Sequence, residues 1–274
     1  MRRAAMRART RWPPSMRILV TFATPQEFAP WKALRTFLPV EIGPRTVFDT
    51  RIGEAEVRVG FTGIGQMPAL CAARELLQLS PDVCISSGTA GGLRPEHSAG
   101  RVLVARALRM EDDRFLIKSD ERLRRMAAVC GARVVELFFS ADHVVLTARE
   151  KSALGLLADA VEMESYAVLT EAARCHVPAV AVRAVSDASR ADVPLDFNRA
   201  IRRDGRLSWP RLLGLMARRP YRLPALMRMG GEARRAAASL ARFLELYLQT
   251  LAGQISEREL LARAHSGSGQ AAAR

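Results

Sequence analysis

The sequence predicts a layered α/β fold, a mainly parallel or mixed sheet flanked by helices. Three observations predict it. Short segments rich in β-branched and small apolar residues alternate with helical patterns over most of the 274 residues, and two glycine clusters fall where strands should end. A carboxylate-bearing segment, Val161-Glu162-Met163-Glu164-Ser165, is then followed by an apolar strand that closes on Val185-Ser186-Asp187. Ligands of parallel α/β sheets sit at the carboxyl ends of strands, so these segments are where a site is expected.

Residues 1–15 carry Arg2, Arg3, Arg7, Arg9 and Arg11 and then Trp12-Pro13-Pro14, without the apolar stretch of a signal peptide, and read as a disordered basic leader. Met16 directly precedes the first strand and is a candidate start. Strand patterns cover 18–22, 57–62, 83–87, 102–109 and 179–185. Apolar residues recur at helical spacing over 68–79, stopped by Ser80-Pro81, and over 161–175, stopped by His176-Val177-Pro178, with His176 as a helix-end residue. After Phe197 comes a helical extension, 198–254, with a turn signal at Asp204-Gly205, a breaker at Arg219-Pro220 and a final helical run from Glu232. Residues 255–274 read as a mostly disordered tail. The organisation is therefore leader 1–15, catalytic domain 16–197, extension 198–254 of the same domain, and tail.

A 49% hydrophobic composition supports one sizeable core. The formal charge of +14 raises nucleic acid as a partner, but the basic residues are 39 Arg and only Lys32, Lys118 and Lys151, scattered and without interleaved aromatics, so no specific nucleic acid is expected. Cys71, Cys84, Cys130 and Cys175 lack metal-ligand spacing and read as reduced thiols of a cytoplasmic protein with no metal and no cofactor. No run is long enough to span a bilayer. In the extension, arginines alternate with apolar residues at helical spacing. Such a basic amphipathic helix can make peripheral contact with an anionic membrane, or pack on the core or on a partner subunit.

Glu164 and Asp187 stand twenty-three positions apart, a spacing that suits a helix returning to a strand tip. Asp187 there either presents its carboxylate at the rim or caps a following turn. The clusters Thr62-Gly63-Ile64-Gly65 and Ser87-Gly88-Thr89-Ala90-Gly91-Gly92 let backbone amides approach a ligand, tight turns being the other reading. Neither matches a dinucleotide fingerprint or a Walker loop.

Taken in order, Thr62-Gly63-Ile64-Gly65, Ser87-Gly88-Thr89-Ala90-Gly91-Gly92-Leu93, Val161-Glu162-Met163-Glu164 and Val185-Ser186-Asp187 resemble the purine nucleoside phosphorylase / 5′-methylthioadenosine–S-adenosylhomocysteine nucleosidase superfamily over 16–197. The resemblance implies a three-layer αβα sandwich with a central mixed, twisted sheet, a small-molecule purine nucleoside as ligand, and a homodimer or higher homo-oligomer. Asp187 matches the family's general acid, which gives a proton to purine N7. Glu164 matches the carboxylate that holds the ribose hydroxyls, and Met163 packs against the sugar. Glu162, Gly65, Ser87, Gly88 and Ser186 belong to the same motifs and are carried over as substrate-binding positions. Glu27 falls where the nucleosidases carry the glutamate that positions the attacking water; an exposed first-turn helix acid is the other reading. Ser140-Ala141-Asp142-His143-Val144-Val145 resembles the segment that holds the base, with Val144 and Val145 as base contacts. An aromatic often stacks at that place in nucleosidases, so Val144 is a departure. His143 is an alternative acid or a structural residue, Phe197 matches an aromatic closing over the 5′ side or is core, and Tyr166 reads as helix packing.

Breaking an N-glycosidic bond builds positive charge on ribose and negative charge on the departing base, so an acid must serve the base while carboxylates favour the sugar. Ser86 stands where hexameric bacterial phosphorylases show an arginine, and no arginine lies between Ile18 and Lys32, which leaves a phosphate dianion poorly stabilised. The expected activity is a hydrolytic nucleosidase acting on an adenine nucleoside such as 5′-methylthioadenosine or S-adenosylhomocysteine. The alternatives are a phosphate-dependent phosphorylase, including the hopanoid-associated branch with a lipid-linked adenine nucleoside, and a non-catalytic nucleoside-binding protein.

Overall fold

Alternation along β1 (Arg17–Phe22) divides the core in two. Ile18, Val20 and Phe22 enter one buried apolar cluster and Leu19 enters another on the opposite face. The computed structural model describes residues 16–110, 115–187, 189 and 192–253, so the expected leader 1–15 and tail 255–274 lie outside the described residues. After β1 come α1 (Pro25–Leu34), β2 (Leu38–Ile42), β3 (Arg45–Ile52), β4 (Ala55–Phe61), α2 (Gln66–Leu77), β5 (Val83–Gly92) and β6 (Val102–Met110). The chain continues through β7 (Ile117–Lys118), α3 (Glu121–Val129), β8 (Arg133–Ser140), α4 (Ala148–Leu154), β9 (Ala160–Glu162), α5 (Ser165–Arg174) and β10 (Ala179–Asp187). A 3₁₀ turn at Phe197–Arg199, α6 (Trp209–Ala217), a second turn at Pro220–Arg222 and α7 (Leu223–Leu251) follow.

The strands form one mixed sheet in the order β10-β6-β8-β9-β5-β1-β4-β3-β2, with β7 on β6, and β10 also pairs with β5. The path therefore curls back on itself. β1, β4, β5 and β10 run parallel and bring their carboxyl ends together. Helices α1, α3 and α7 cover one face through Phe28, Trp31, Leu123, Leu240 and Leu244, and α2 and α5 cover the other through Ala69, Leu76, Val168 and Leu169. This is the expected mixed α/β architecture.

Three local expectations change. The segment 161–175 is not one helix: Val161 and Glu162 belong to β9, paired with β5 and β8, and the helix begins only at Ser165. The cause is Glu162, whose buried Oε2 accepts the amides of Glu164 (3.0 Å) and Ser165 (2.6 Å) and so caps α5 from outside it. The second glycine cluster is not a loop, because β5 continues to Gly92, with Gly88 opposite Arg183 and Gly91 opposite Asp187 on β10. His176 sits just past α5 in the left-handed region (φ +56°), the helix-end place expected for it. Strands β2, β7 and β9 escape the sequence pattern because they are short, and β3 carries polar residues among its apolar ones.

The last helix is longer than the run from Glu232. It begins at Leu223, and its C-terminal half drives Ala236, Leu240, Ala241, Leu244, Tyr247, Leu248 and Leu251 into the main core. The Tyr247 hydroxyl donates to the Leu123 carbonyl (2.9 Å). Leu244 is fully buried, and Leu244→Ala should cost about 2–5 kcal/mol of stability. The check is the midpoint of urea unfolding, which a peripheral helix would leave within experimental scatter.

Candidate active site

A cavity of about 300 Å³ opens at the carboxyl ends of β1, β5, β9 and β10. One end is lined by Glu27, Ile64, Met163 and Glu164; the other by Val144, Val145, Lys151, Ser186 and Asp187. Glu162 and Thr89-Ala90-Gly91 lie along it. Residues as far apart in the chain as Ala23 and Val193 are brought together there, chiefly by the parallel strands β1, β5 and β10 ending at one rim.

Glu27 has two structural partners as well as a place in the cavity. As the third residue of α1 it forms a capping box with Thr24, and its Oε2 accepts from the Ala23 and Thr24 amides (3.1 and 3.3 Å). Its Oε1 accepts from the amide and hydroxyl of Thr89 (2.7 and 2.9 Å). The carboxylate is thereby held in one orientation between α1 and β5.

Beneath the cavity lies a buried charge cluster that sequence reasoning missed. Arg183, 1% exposed in the middle of β10, donates through Nη2 to Glu162 Oε2 (2.6 Å), Glu164 Oε2 (3.2 Å) and Ser165 Oγ (2.8 Å), and through Nη1 to the Ser87 carbonyl (3.1 Å). The other oxygen of Glu162 accepts from the Ser140 hydroxyl, and Glu164 Oε1 accepts from the Gly65 amide (3.1 Å). A signal was present: an arginine inside Ala179-Val180-Ala181-Val182-Arg183-Ala184-Val185 is a charge in a buried strand, and such charges come paired. Burial opposes the charged form of Arg183, but Glu162, Glu164 and Glu27 outweigh it and hold the guanidinium above its ordinary range. Burial raises Glu164 to about 8, with Glu162 and Glu27 adding to the rise and Arg183 opposing it.

Ser87 and Gly88 support this cluster and do not line the cavity. Gly88 sits at φ +150°, and a Cβ there would collide with Arg183 Nη1 and stand 2.9 Å from Glu27 Oε1, so only glycine lets the guanidinium and the glutamate meet. Gly65, at φ +102°, acts through its amide on Glu164.

At the other end Asp187 is ion-paired through Oδ2 with the ammonium of Lys151 on α4, and its Oδ1 accepts from the Ser186 hydroxyl (2.7 Å). Lys151 was not singled out from the sequence; nothing in Glu150-Lys151-Ser152 distinguishes it from a surface helical lysine. The Val144 backbone is clamped by Asn198, whose Oδ1 accepts from its amide (2.7 Å) and whose Nδ2 donates to its carbonyl (3.1 Å). His143 reaches the cavity but pairs with Asp142 and Glu150, which raise its pKa in that order. Phe197 lies off the cavity, packed with Leu195, Ala200 and Leu212 in a satellite cluster under α6. Tyr166 is buried in helix packing, as expected. Among the described residues no cluster of His, Cys, Asp or Glu could hold a metal ion.

A larger cavity of about 890 Å³ adjoins the first at Ala23 and Thr24, and runs between α2, β3 and the segment around Asp204-Gly205. That segment is fixed by the Ile64 amide donating to the Gly205 carbonyl (2.8 Å).

The family model described as "Phosphorylase superfamily" matches residues 17–207. The chain belongs to the phosphorylase superfamily. Among solved structures of this fold, the Campylobacter jejuni 5′-methylthioadenosine/S-adenosyl homocysteine nucleosidase is 19% identical, with a TM-score of 0.66 over 86% of this chain and 99% of that one. The corresponding nucleosidase of S. pneumoniae, solved with a transition-state inhibitor, is 18% identical with a TM-score of 0.66 over 86% and 100%. Futalosine hydrolase of Helicobacter pylori is 18% identical with a TM-score of 0.65 over 85% and 97%. The matched fold thus accounts for most of this chain.

The raised pKa of Glu164 has a measurable consequence. The fold favours its protonated form, so its contribution to stability is complete below the unfolded value of 4.5 and is lost as pH rises through about 8. Glu164→Gln, which stays neutral, should flatten the fall in stability between pH 5 and pH 9, read as the difference between the two proteins' denaturation midpoints across that range. Parallel curves would remove the assignment.

Proposed function

We propose that this protein cleaves the N-glycosidic bond of a purine nucleoside by hydrolysis. The observation that carries this reading is the sorting of charge around the cavity, where Glu162 and Glu164 pair with Arg183, with Glu27 close to the same guanidinium, while Asp187 pairs with Lys151. Positive charge growing on ribose is favoured by the acidic end, and the base departs toward Asp187, Val144 and Val145. Glu164 holds the ribose hydroxyls, Met163 packs on the sugar and Glu27 orients the attacking water. Among the described residues no arginine lines the cavity, and the guanidinium beneath it, Arg183, is already matched by Glu162 and Glu164, so a phosphate dianion beside Glu27 would meet like charge. Nucleosidases and futalosine hydrolase among the structural neighbours support hydrolysis as the reaction class. The preferred substrates are adenine nucleosides with a 5′ substituent, such as 5′-methylthioadenosine or S-adenosylhomocysteine.

The test is to incubate the protein with 5′-methylthioadenosine, S-adenosylhomocysteine and adenosine, with and without phosphate, and to measure free adenine. Release independent of phosphate is expected; strict dependence on phosphate would establish the phosphorylase alternative. Asp187→Asn should lower kcat by about 10²–10⁴-fold while nucleoside binding persists. Glu27→Gln should lower kcat more than it raises KM.

A second reading concerns the 5′ group. The adjoining cavity starts at Thr24, is walled by Val47, Phe61, Met67, Leu207 and Trp209, and can take a long apolar substituent. Beside it the segment 205–231 contains six arginines and neither Asp nor Glu. Trp209, Leu213, Tyr221, Leu223 and Met227 are exposed there among Arg211, Arg218, Arg219 and Arg228. A two-fold pairing of this face would set arginines near their own copies, whereas an anionic lipid surface matches both the charge and the apolar side chains. A lipid-linked nucleoside, as in the hopanoid-associated alternative, fits this arrangement. The protein should sediment with phosphatidylglycerol vesicles and not with phosphatidylcholine vesicles, and a Leu213→Ser, Met227→Ser double variant should sediment less. Equal sedimentation of both proteins, or none, rejects this reading.

A further inference from the structure

We propose that Lys151 is the source of the proton taken by the leaving base, with Asp187 as its carrier. The inference rests on the glycosidic-cleavage reading above and assigns a role to a residue that reading does not use. Lys151 is 1% exposed, yet it lines the cavity at the base end with its ammonium against Asp187 Oδ2. A lysine buried to that degree, on a seven-residue helix packed beside the site, is held there by its charge partner.

The arrangement poses a chemical problem for Asp187 acting alone. Its Oδ2 accepts from the Lys151 ammonium, and its Oδ1 lies 2.7 Å from the Ser186 hydroxyl, whose single proton is shared with the Ala90 carbonyl at 3.2 Å, so it is the ion pair that holds Asp187 as an acceptor and not as an acid. Among the described residues, Lys151 is the proton-bearing group in direct contact with Asp187 besides the Ser186 hydroxyl. His143, the other cationic candidate lining the cavity, has both ring nitrogens engaged by Asp142 and Glu150. Glu27, Glu162 and Glu164 serve the sugar end.

A purine seated between Val144, Val145 and Ala90 excludes water from the Lys151–Asp187 pair, which reduces the advantage of the charge-separated form. As the C1′–N9 bond breaks, its electron pair passes to the base, whose N7 becomes basic. A proton moves from Lys151 Nζ to the Asp187 carboxylate and from the carboxyl to N7, leaving a neutral amine and a carboxylate. Water oxygen bonds to C1′, and the proton that water releases returns through solvent to the amine. Lysine and aspartate end as they began, and nucleoside plus water gives purine plus free sugar.

Two variants separate a proton source from a charge that merely positions Asp187. Lys151→Met removes both functions, whereas Lys151→Arg keeps a cation opposite Asp187 but cannot give up its proton during turnover. Both should lose at least about 100-fold in kcat on the nucleoside that the wild type cleaves best, with KM changed by less than about 3-fold. With 4-nitrophenyl riboside, whose leaving group departs without protonation, the loss in each variant should be smaller by at least about 10-fold. Near wild-type turnover by Lys151→Arg, or equal losses on the two substrates, overturns the proposal. If Lys151→Met does not fold, judged by its thermal unfolding, Lys151→Arg decides alone. A wild-type protein that releases base from no nucleoside would instead reject the glycosidic-cleavage reading, so the two failures are distinct.

Discussion

The buried guanidinium of Arg183 is the constraint around which the rest of the site is arranged. A charge at the centre of a parallel strand, 1% exposed, must be matched on all sides, and the matching groups come from β5, β9 and the start of α5. Removing one partner from such a cluster leaves an unpaired charge in a low dielectric, which typically costs about 3–5 kcal/mol. Several features that look independent follow from it. Gly88 lacks a side chain because the guanidinium occupies that space. Ser86 and Ser165 are small and polar because they complete the cluster, their hydroxyls 3.0 Å apart. Glu162 ends a strand rather than starting a helix because one of its oxygens serves Arg183 and the first amides of α5 together.

This cluster also sets the character of the cavity above it. Glu27, Glu162 and Glu164 surround one guanidinium; burial first, and then Glu162 and Glu27, raise Glu164, and a cation arriving there would favour its ionised form. A sugar acquiring positive charge suits such surroundings, and an incoming dianion does not. At the opposite end the sign reverses, with a buried ammonium against Asp187. The cavity is thus polarised by groups held in strands, in helices and at a helix start by their hydrogen bonds and ion pairs, which spares the reorganisation that flexible side chains or water would need.

The large apolar surface of α7 contributes in a different way. Its C-terminal half closes the main core against β10, the strand that carries Arg183 and Asp187, while its first turns lie out among exposed apolar residues and arginines. One helix therefore links the strand that carries Arg183 and Asp187 to a basic, apolar-studded face. The segment between them, through Asn198 and Gly205, touches both the loop that holds Val144 and the loop that carries Ile64.

Much of this was legible along the chain. The alternation of strands and helices, the ordered motifs and the carboxylates at Glu27, Glu164 and Asp187 could be read from the sequence, because each depends on residues near one another in the chain. The helix at 161–175 was read too long because apolar spacing is the same in a buried three-residue strand and in a first helical turn; only pairing with β5 and β8 separates them. Phe197 was placed by its distance from Asp187, and the satellite cluster under α6 draws it away from the cavity. The sequence by itself determined the fold class and the family, since these reside in composition, order and local spacing. Only the tertiary structure decided that Arg183 joins Glu162 to Glu164 and that Lys151 meets Asp187, because a charge pair across 36 positions is made by two chain segments folding to one rim and leaves no periodic trace in either.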